Sequence, residues 1–428
     1  MNAPTYHGER TAHLDTAAAG RMPDAVRAVL AHCTALDDRF GPAAPGAGPG
    51  DALHTRVRER LGALLGVPAA DTALATGAAQ AFEAYLQGMD LGPRDRIWTT
   101  PHEGVAHLSA LHALRGRTRC RLEVVPLRPD GDLDLDWMRT HLDEDVALVS
   151  AVHLSPACGT VNPVVEIGRL LAAHRARYTL DASHSAGLLP LDAPRIGCDL
   201  LTADGWRFLR GPQDIGFAYL APGRPHGSPP QPPAPATAAA LDAALAHHHN
   251  AARLPHEDLL PRLRDAVART PGMHLLAAGT EQAAVLAFRH AEIPAAAIRR
   301  GLARRGVVLG KTVAHQHPLH PAGRDGEPAL RASVHHHNTA RDIDRLQQAL
   351  AEVLLEERPA IPALAAAGTA AGTAAATAAG TAAGVLAPAA TAAPAAAAAG
   401  AGAEPGRPSP YHARPVRRRG HLTLHRAT

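Results

Sequence analysis

Lysine is all but absent. Of the 43 lysine and arginine residues in this 428-residue chain, Lys311 alone is a lysine. Schiff-base chemistry needs a primary amine, so covalent imine catalysis has a single side-chain candidate. The surplus of arginine, with abundant alanine, 38 glycines and 37 prolines, reads as the compositional drift of a GC-rich genome rather than as function. Paired cysteine spacing is missing too. Cys33, Cys120, Cys158 and Cys198 form no CxxC, which argues against a disulfide framework and for a reduced, cytoplasmic protein. The opening MNAPTYHGERTAHLD has no apolar core behind basic residues, so no secretory signal is expected. No run of about 18 apolar residues free of charges and breakers occurs, so no membrane span is expected. A net charge of +3 is too small to argue for nucleic acid or a membrane surface as the main partner. Histidines cluster at 247–249 and 335–337 and at His315, His317 and His320. None of these groups has the spaced His/Cys/carboxylate pattern of a typical site, and no structural metal is expected.

What is present is an alternation of apolar strands and helices. DVALVSAVHL (145–154), RYTLDA (177–182), CDLLTAD (198–204) and IGFAYL (215–220) read as strands. NPVVEIGRLLAAHRA has helical spacing with Pro163 near its start. Helices between strands imply right-handed crossovers and a mainly parallel sheet. Ligands of such sheets bind beyond the carboxyl ends of the strands, where Asp181, Asp204 and Arg207 fall. A Pro-rich stretch at 221–237 interrupts the pattern. A strand–helix–strand unit and a final strand and helix follow, the helix opening on a capping-box pair, Thr339 and Asp342. The expected organisation is a large domain over 1–237, a smaller α+β domain over 238–357, and a disordered tail over 358–428. The tail has too few large apolar residues to offset its ordering entropy. Its basic end, ARPVRRRGHLTLHRAT, lacks interleaved aromatics and is read as solvated rather than nucleic-acid-binding.

Six stretches stand in a telling order: HLDTAAAG (13–20), ATGAAQAFEAYL (75–86), HLSPACGTVNPVVEIGRL (153–170), TLDASHSAGLLPLD (179–192), GPQDIGFAYL (211–220) and LRASVHHHNTARDIDRL (330–346). Together they resemble the class V aminotransferase family of pyridoxal-phosphate enzymes, which includes cysteine desulfurases, isopenicillin N epimerase and hercynylcysteine sulfoxide lyase. The resemblance covers about residues 13–355. It implies an α/β protein of the type I pyridoxal-phosphate-dependent transferase fold, with a mainly parallel, seven-stranded-type sheet and a smaller α+β domain. It also implies a dimer acting on an amino acid, with sulfur chemistry one option. By resemblance, Asp181 holds the proton on the cofactor's ring nitrogen. His184 bonds the ring oxygen, Gly77 and Ala78 offer backbone N–H groups to the phosphate, and Arg331 clamps a substrate carboxylate. Taken singly, Asp181 reads equally well as a turn cap, His184 as a half-buried histidine, and Arg331 as a surface ion-pair partner.

The pattern breaks in ADGWRFLRGPQDIGFAYL (203–220). Arg207 stands where the family carries its Schiff-base lysine, and Trp206 precedes it. A guanidinium stays protonated and forms no productive imine. Gly104 aligns with the residue that stacks on the cofactor ring, with His102 two positions away as a substitute. Ala79 stands where a phosphate-binding Thr is common, and Pro156 where an Asn often lies. Two readings remain open. One is an atypical lyase, epimerase or desulfurase-like enzyme holding pyridoxal phosphate non-covalently. The other is a non-catalytic homologue acting as a binding or partner subunit, as a homodimer or paired with an active relative. A relocated Schiff base on Lys311 would need a very different cofactor pose.

Overall fold

A computed structural model describes residues 11–41, 51–223, 227–250, 256–276, 278–321 and 327–357. The tail expected to be disordered lies outside the described residues. Twelve strands occur among the described residues: β1 (Ala12–Leu14), β2 (Thr72–Ala75), β3 (Arg96–Thr99), β4 (Arg121–Val124), β5 (Val146–Val152), β6 (Arg177–Asp181), β7 (Leu200–Asp204), β8 (Gly216–Leu220), β9 (Met273–Leu275), β10 (Val285–His290), β11 (Val307–Thr312) and β12 (Ala329–Ser333). Each strand read from the sequence between 145 and 220 forms within two residues of its expected limits.

Seven strands make one sheet in the order β2-β8-β7-β6-β5-β3-β4. The run from β4 to β7 is parallel, while β8 runs antiparallel to both β7 and β2. The exception has a local cause. The connection from β7 to β8 holds no crossover helix, and a parallel return needs one. That connection, closed by the Gly205 N–H donating to Ile215 O at 2.9 Å, carries Trp206 and Arg207 beyond the carboxyl end of β7. The central strands are apolar and covered on both faces; β5 is buried at every position. The result is the type I pyridoxal-phosphate-dependent transferase fold.

The smaller sheet runs β1-β11-β12-β10-β9, antiparallel except that β1 lies parallel to β11. Two packings cross the 237/238 limit suggested by composition. β1, from the N-terminal segment, joins the smaller sheet. The helix Pro235–Asn250 packs on the helices Asp24–Phe40 and Asp51–Leu65 and lends Ala238, Leu241 and Leu245 to the core of the larger sheet. Prolines mark a loop, whereas the buried apolar face decides which core a helix joins. The capping box on the final helix forms as expected, with Thr339 and Asp342 satisfying each other's backbone N–H groups.

Candidate functional site

A cavity of about 430 Å³ opens at the carboxyl ends of β6 and β7. Its walls include Gly77, Ala78, Asp181, His184, Trp206, Arg207 and Arg331, the residues that the resemblance places in the site. A second depression of about 460 Å³ lies against Pro222, Pro229, Pro230 and Pro232, away from these groups.

Asp181 closes β6 and is both cap and wall. Its Oδ1 accepts the Ser183 N–H at 2.8 Å, and its Oδ2 lies 3.8 Å from His107 Nδ1. Behind them is Glu103, wholly buried, accepting hydrogen bonds from Ser150 at 3.1 Å and Thr99 at 3.3 Å. Burial pushes the Glu103 carboxyl up to about 7, against the pull of His107. His184 bonds the carbonyl of Ala17 through Nε2 at 3.1 Å. That nitrogen therefore carries the hydrogen, and the buried Nδ1, which has no partner, presents a lone pair. Burial, with Arg207 and Arg331 nearby, holds this imidazole well below its ordinary pKa.

Arg207 is locked. Its Nε donates to Asp204 Oδ2 at 2.9 Å and one terminal nitrogen donates to Ala17 O at 2.8 Å, while the guanidinium lies 5.6 Å from the Trp206 ring centroid. The chain segment bearing Ala17 is held there by close backbone contact. Gly20 N–H donates to Trp206 O at 2.8 Å, and a Cβ on Gly20 would fall 2.0 Å from Arg207 O. Asp204 has a second engagement: its Oδ1 accepts the Ala78 N–H at 3.1 Å. This is the helix-start N–H expected to face a phosphate. Burial pushes the Asp204 carboxyl up, opposed by Arg207.

Arg331 is buried rather than at the surface. It donates to Asp15 Oδ1 and to Pro156 O, both at 3.2 Å, leaving its Nε without a partner. Gly104, Ala79 and Pro156 also line the cavity. His102 does not. It is buried against Asn162, at 3.0 Å, and stacks on nothing in the cavity. Lys311 is exposed on β11 and is absent from the cavity wall. Asp204, Asp15, His107 and Glu103 had no role assigned from the sequence. Asp204 carried a signal, an acidic residue three positions before Arg207 at a strand end, but nothing local announced its hold on Ala78.

The class-V aminotransferase family model matches residues 50–224. Over that segment the chain is similar to the class V aminotransferase family. The chain is 33% identical over 145 residues to a probable cysteine desulfurase of Halobacterium salinarum, covering 34% of this chain and 35% of that protein. To a probable cysteine desulfurase of Synechocystis sp. it is 28% identical over 305 residues, covering 62% of this chain and 71% of the other. The chain thus spans about a third of the length of the first of these relatives. The crystal structure of the Escherichia coli cysteine desulfurase CsdA superposes with a TM-score of 0.72 at 19% identity, over 81% of this chain and 95% of that one. No described helix is long and apolar enough to cross a membrane.

Set against the cofactor of this fold, the class V site fits at one end only. Asp181 and His184, which the resemblance assigns to the cofactor ring, both line the cavity. At the end that the resemblance gives to the phosphate, the Ala78 N–H donates to the buried Asp204 carboxylate. The phosphate end can take pyridoxal phosphate only where Asp204 gives up the Ala78 N–H.

Proposed function

We propose that this class V protein is a binding member of its family, taking a small amino-acid-type ligand in the cavity without Schiff-base chemistry. One observation carries the reading: among the described residues, the cavity holds no amine. The chain's one lysine is exposed on β11, and the residue at the lysine position is a guanidinium engaged by Asp204 and Ala17. The cavity sets Arg207 and Arg331 beside Asp181 and Asp204, the mixed signs that an α-amino carboxylate complements. A ligand carboxylate competes with Asp15 for Arg331, and its ammonium is drawn to Asp181.

The second reading, an enzyme using non-covalent pyridoxal phosphate, is favoured by the placing of Asp181 and His184 on one wall. It lacks a lysine for proton transfer, a loss of about 10²–10⁴-fold unless another group substitutes. On either reading we propose a cytoplasmic homodimer, checked by light scattering, with pairing to a lysine-bearing relative checked by co-purification. The deciding experiment is a visible spectrum of the protein with added pyridoxal phosphate, before and after candidate amino acids, alongside calorimetry with the amino acids alone. Amino-acid binding without a retained chromophore supports the binding reading. A retained cofactor band that changes with an amino acid refutes it.

A further inference from the structure

Behind the cavity wall, three segments far apart in the chain bring together a thiol and two imidazoles. His102 follows β3, Cys158 follows β5 and His320 follows β11. One ligand atom of each lies within 4.8 Å of the others, and all three residues are buried. None of them lines the cavity.

We propose that His102, Cys158 and His320 form a binding site for a thiophilic late first-row ion, zinc or copper. The donor set is the first reason. One thiolate and two imidazoles suit zinc, and also copper, while hard ions prefer oxygen. Distance is the second. Zn–S of about 2.3 Å and Zn–N of about 2.0 Å, at a tetrahedral angle, place sulfur and nitrogen about 3.6 Å apart. Cys158 Sγ and His320 Nε2 are 3.4 Å apart. Bringing His102 to the same spacing takes a closure of no more than about 1.5 Å.

Support around the ligands is the third reason. The Asn162 amide is oriented by its Nδ2 donating to Val152 O at 2.6 Å, so its Oδ1 accepts from His102 Nδ1 at 3.0 Å. That fixes the tautomer and leaves the lone pair on Nε2, the arrangement that metal-bound imidazoles favour. The sulfur lies 3.3 Å from the Ser155 hydroxyl and 3.1 Å from that of Thr160. The Ser155 proton can turn to donate to a bound thiolate. The turn carrying Cys158 is tight: Gly159 N–H donates to Ser155 O at 2.9 Å, and Gly159 sits at φ +87°, where a Cβ would meet Val285 O at 2.0 Å. From the sequence no structural metal is expected, because no two of these ligands are neighbours in the chain. A bound ion would tie the β11–β12 connection, and with it His317 and the cavity wall, to the ends of β3 and β5.

The test uses the full-length, untagged protein. Cobalt(II) titration is expected to saturate at about one thiolate-bound ion per chain, with a thiolate-to-metal charge-transfer band that zinc(II) abolishes. Cys158→Ser and His320→Gln lose the band. Replacing His247, His248 and His249 together by Gln keeps it. Asn162→Ala, which frees the His102 ring, weakens binding by about 10–100-fold. Metal analysis of the protein as isolated, and a blue thiolate band on adding copper(II), separate copper from zinc. X-ray absorption of the zinc-loaded wild type needs no variant, and a sulfur neighbour at about 2.3 Å supports the site. A shell of nitrogen and oxygen only, or a cobalt spectrum indifferent to Cys158→Ser, overturns it and leaves a plain thiol–imidazole hydrogen bond.

Discussion

Restoring the lysine alone should not restore a cofactor site. In an Arg207→Lys variant the amine returns, but Asp204 Oδ1 still sits 3.1 Å from the Ala78 nitrogen, the donor that the resemblance gives to a phosphate oxygen. Displacing the carboxylate loses a charge-assisted hydrogen bond, about 1.5–3 kcal/mol. Leaving it roughly 4 Å from a phosphate oxygen adds about 4 kcal/mol of repulsion per pair of unit charges at an effective dielectric of 20. The Asp204 side chain is only 9% exposed, so water does little to screen this. Together the two effects come to about 6 kcal/mol, or about 10⁴-fold in affinity. The assay is titration of Arg207→Lys and of Asp204→Ser/Arg207→Lys with pyridoxal phosphate, read by visible absorbance and confirmed by borohydride trapping. The double variant is expected to turn yellow with an affinity about 10³–10⁴-fold above the single one. Equal affinities would refute the reasoning, and so would a colourless double variant that still folds.

Three further outcomes follow from the geometry. Burial raises the Asp204 pKa in the folded protein. Its contribution is therefore complete below the unfolded value, about 3.9, and is lost as pH rises through the folded value; chemical denaturation of wild type and Asp204→Asn should show the wild type losing ground relative to the variant on raising pH from about 4. Gly216→Ala would place a Cβ 2.7 Å from Gly77 Cα and 2.8 Å from Ala203 O. It should cost about 1–3 kcal/mol in urea unfolding, whereas Gly104→Ala, with nothing within 4 Å, should fall within about 0.5 kcal/mol of wild type. Thr339→Ala removes half of the capping box on the final helix and should cost about 1 kcal/mol in the same measurement.

Much was legible in the chain itself. Strand limits from 145 to 220 follow from apolar runs bounded by breakers. The capping box follows from two residues three apart, and the single side-chain candidate for an imine from counting a single lysine. Asp181, Asp204 and Arg207 could be placed at strand ends because alternation of strands and helices sets the sense of a parallel sheet. These are local signals, carried over a few residues, and elementary sterics and hydrogen bonding decide them.

Which groups then meet was decided by tertiary structure. Asp204 caps Ala78 from 126 residues away, Arg331 finds Asp15 across 316, and Cys158 meets His320 across 162. Those pairings depend on strand order, on the antiparallel return of β8, and on the crossing of the 15–20 segment over the Arg207 turn. No periodicity encodes them, because a side chain's long-range neighbours are set by how whole sheets and helices bury their apolar faces, and only afterwards by the polar groups they bring together.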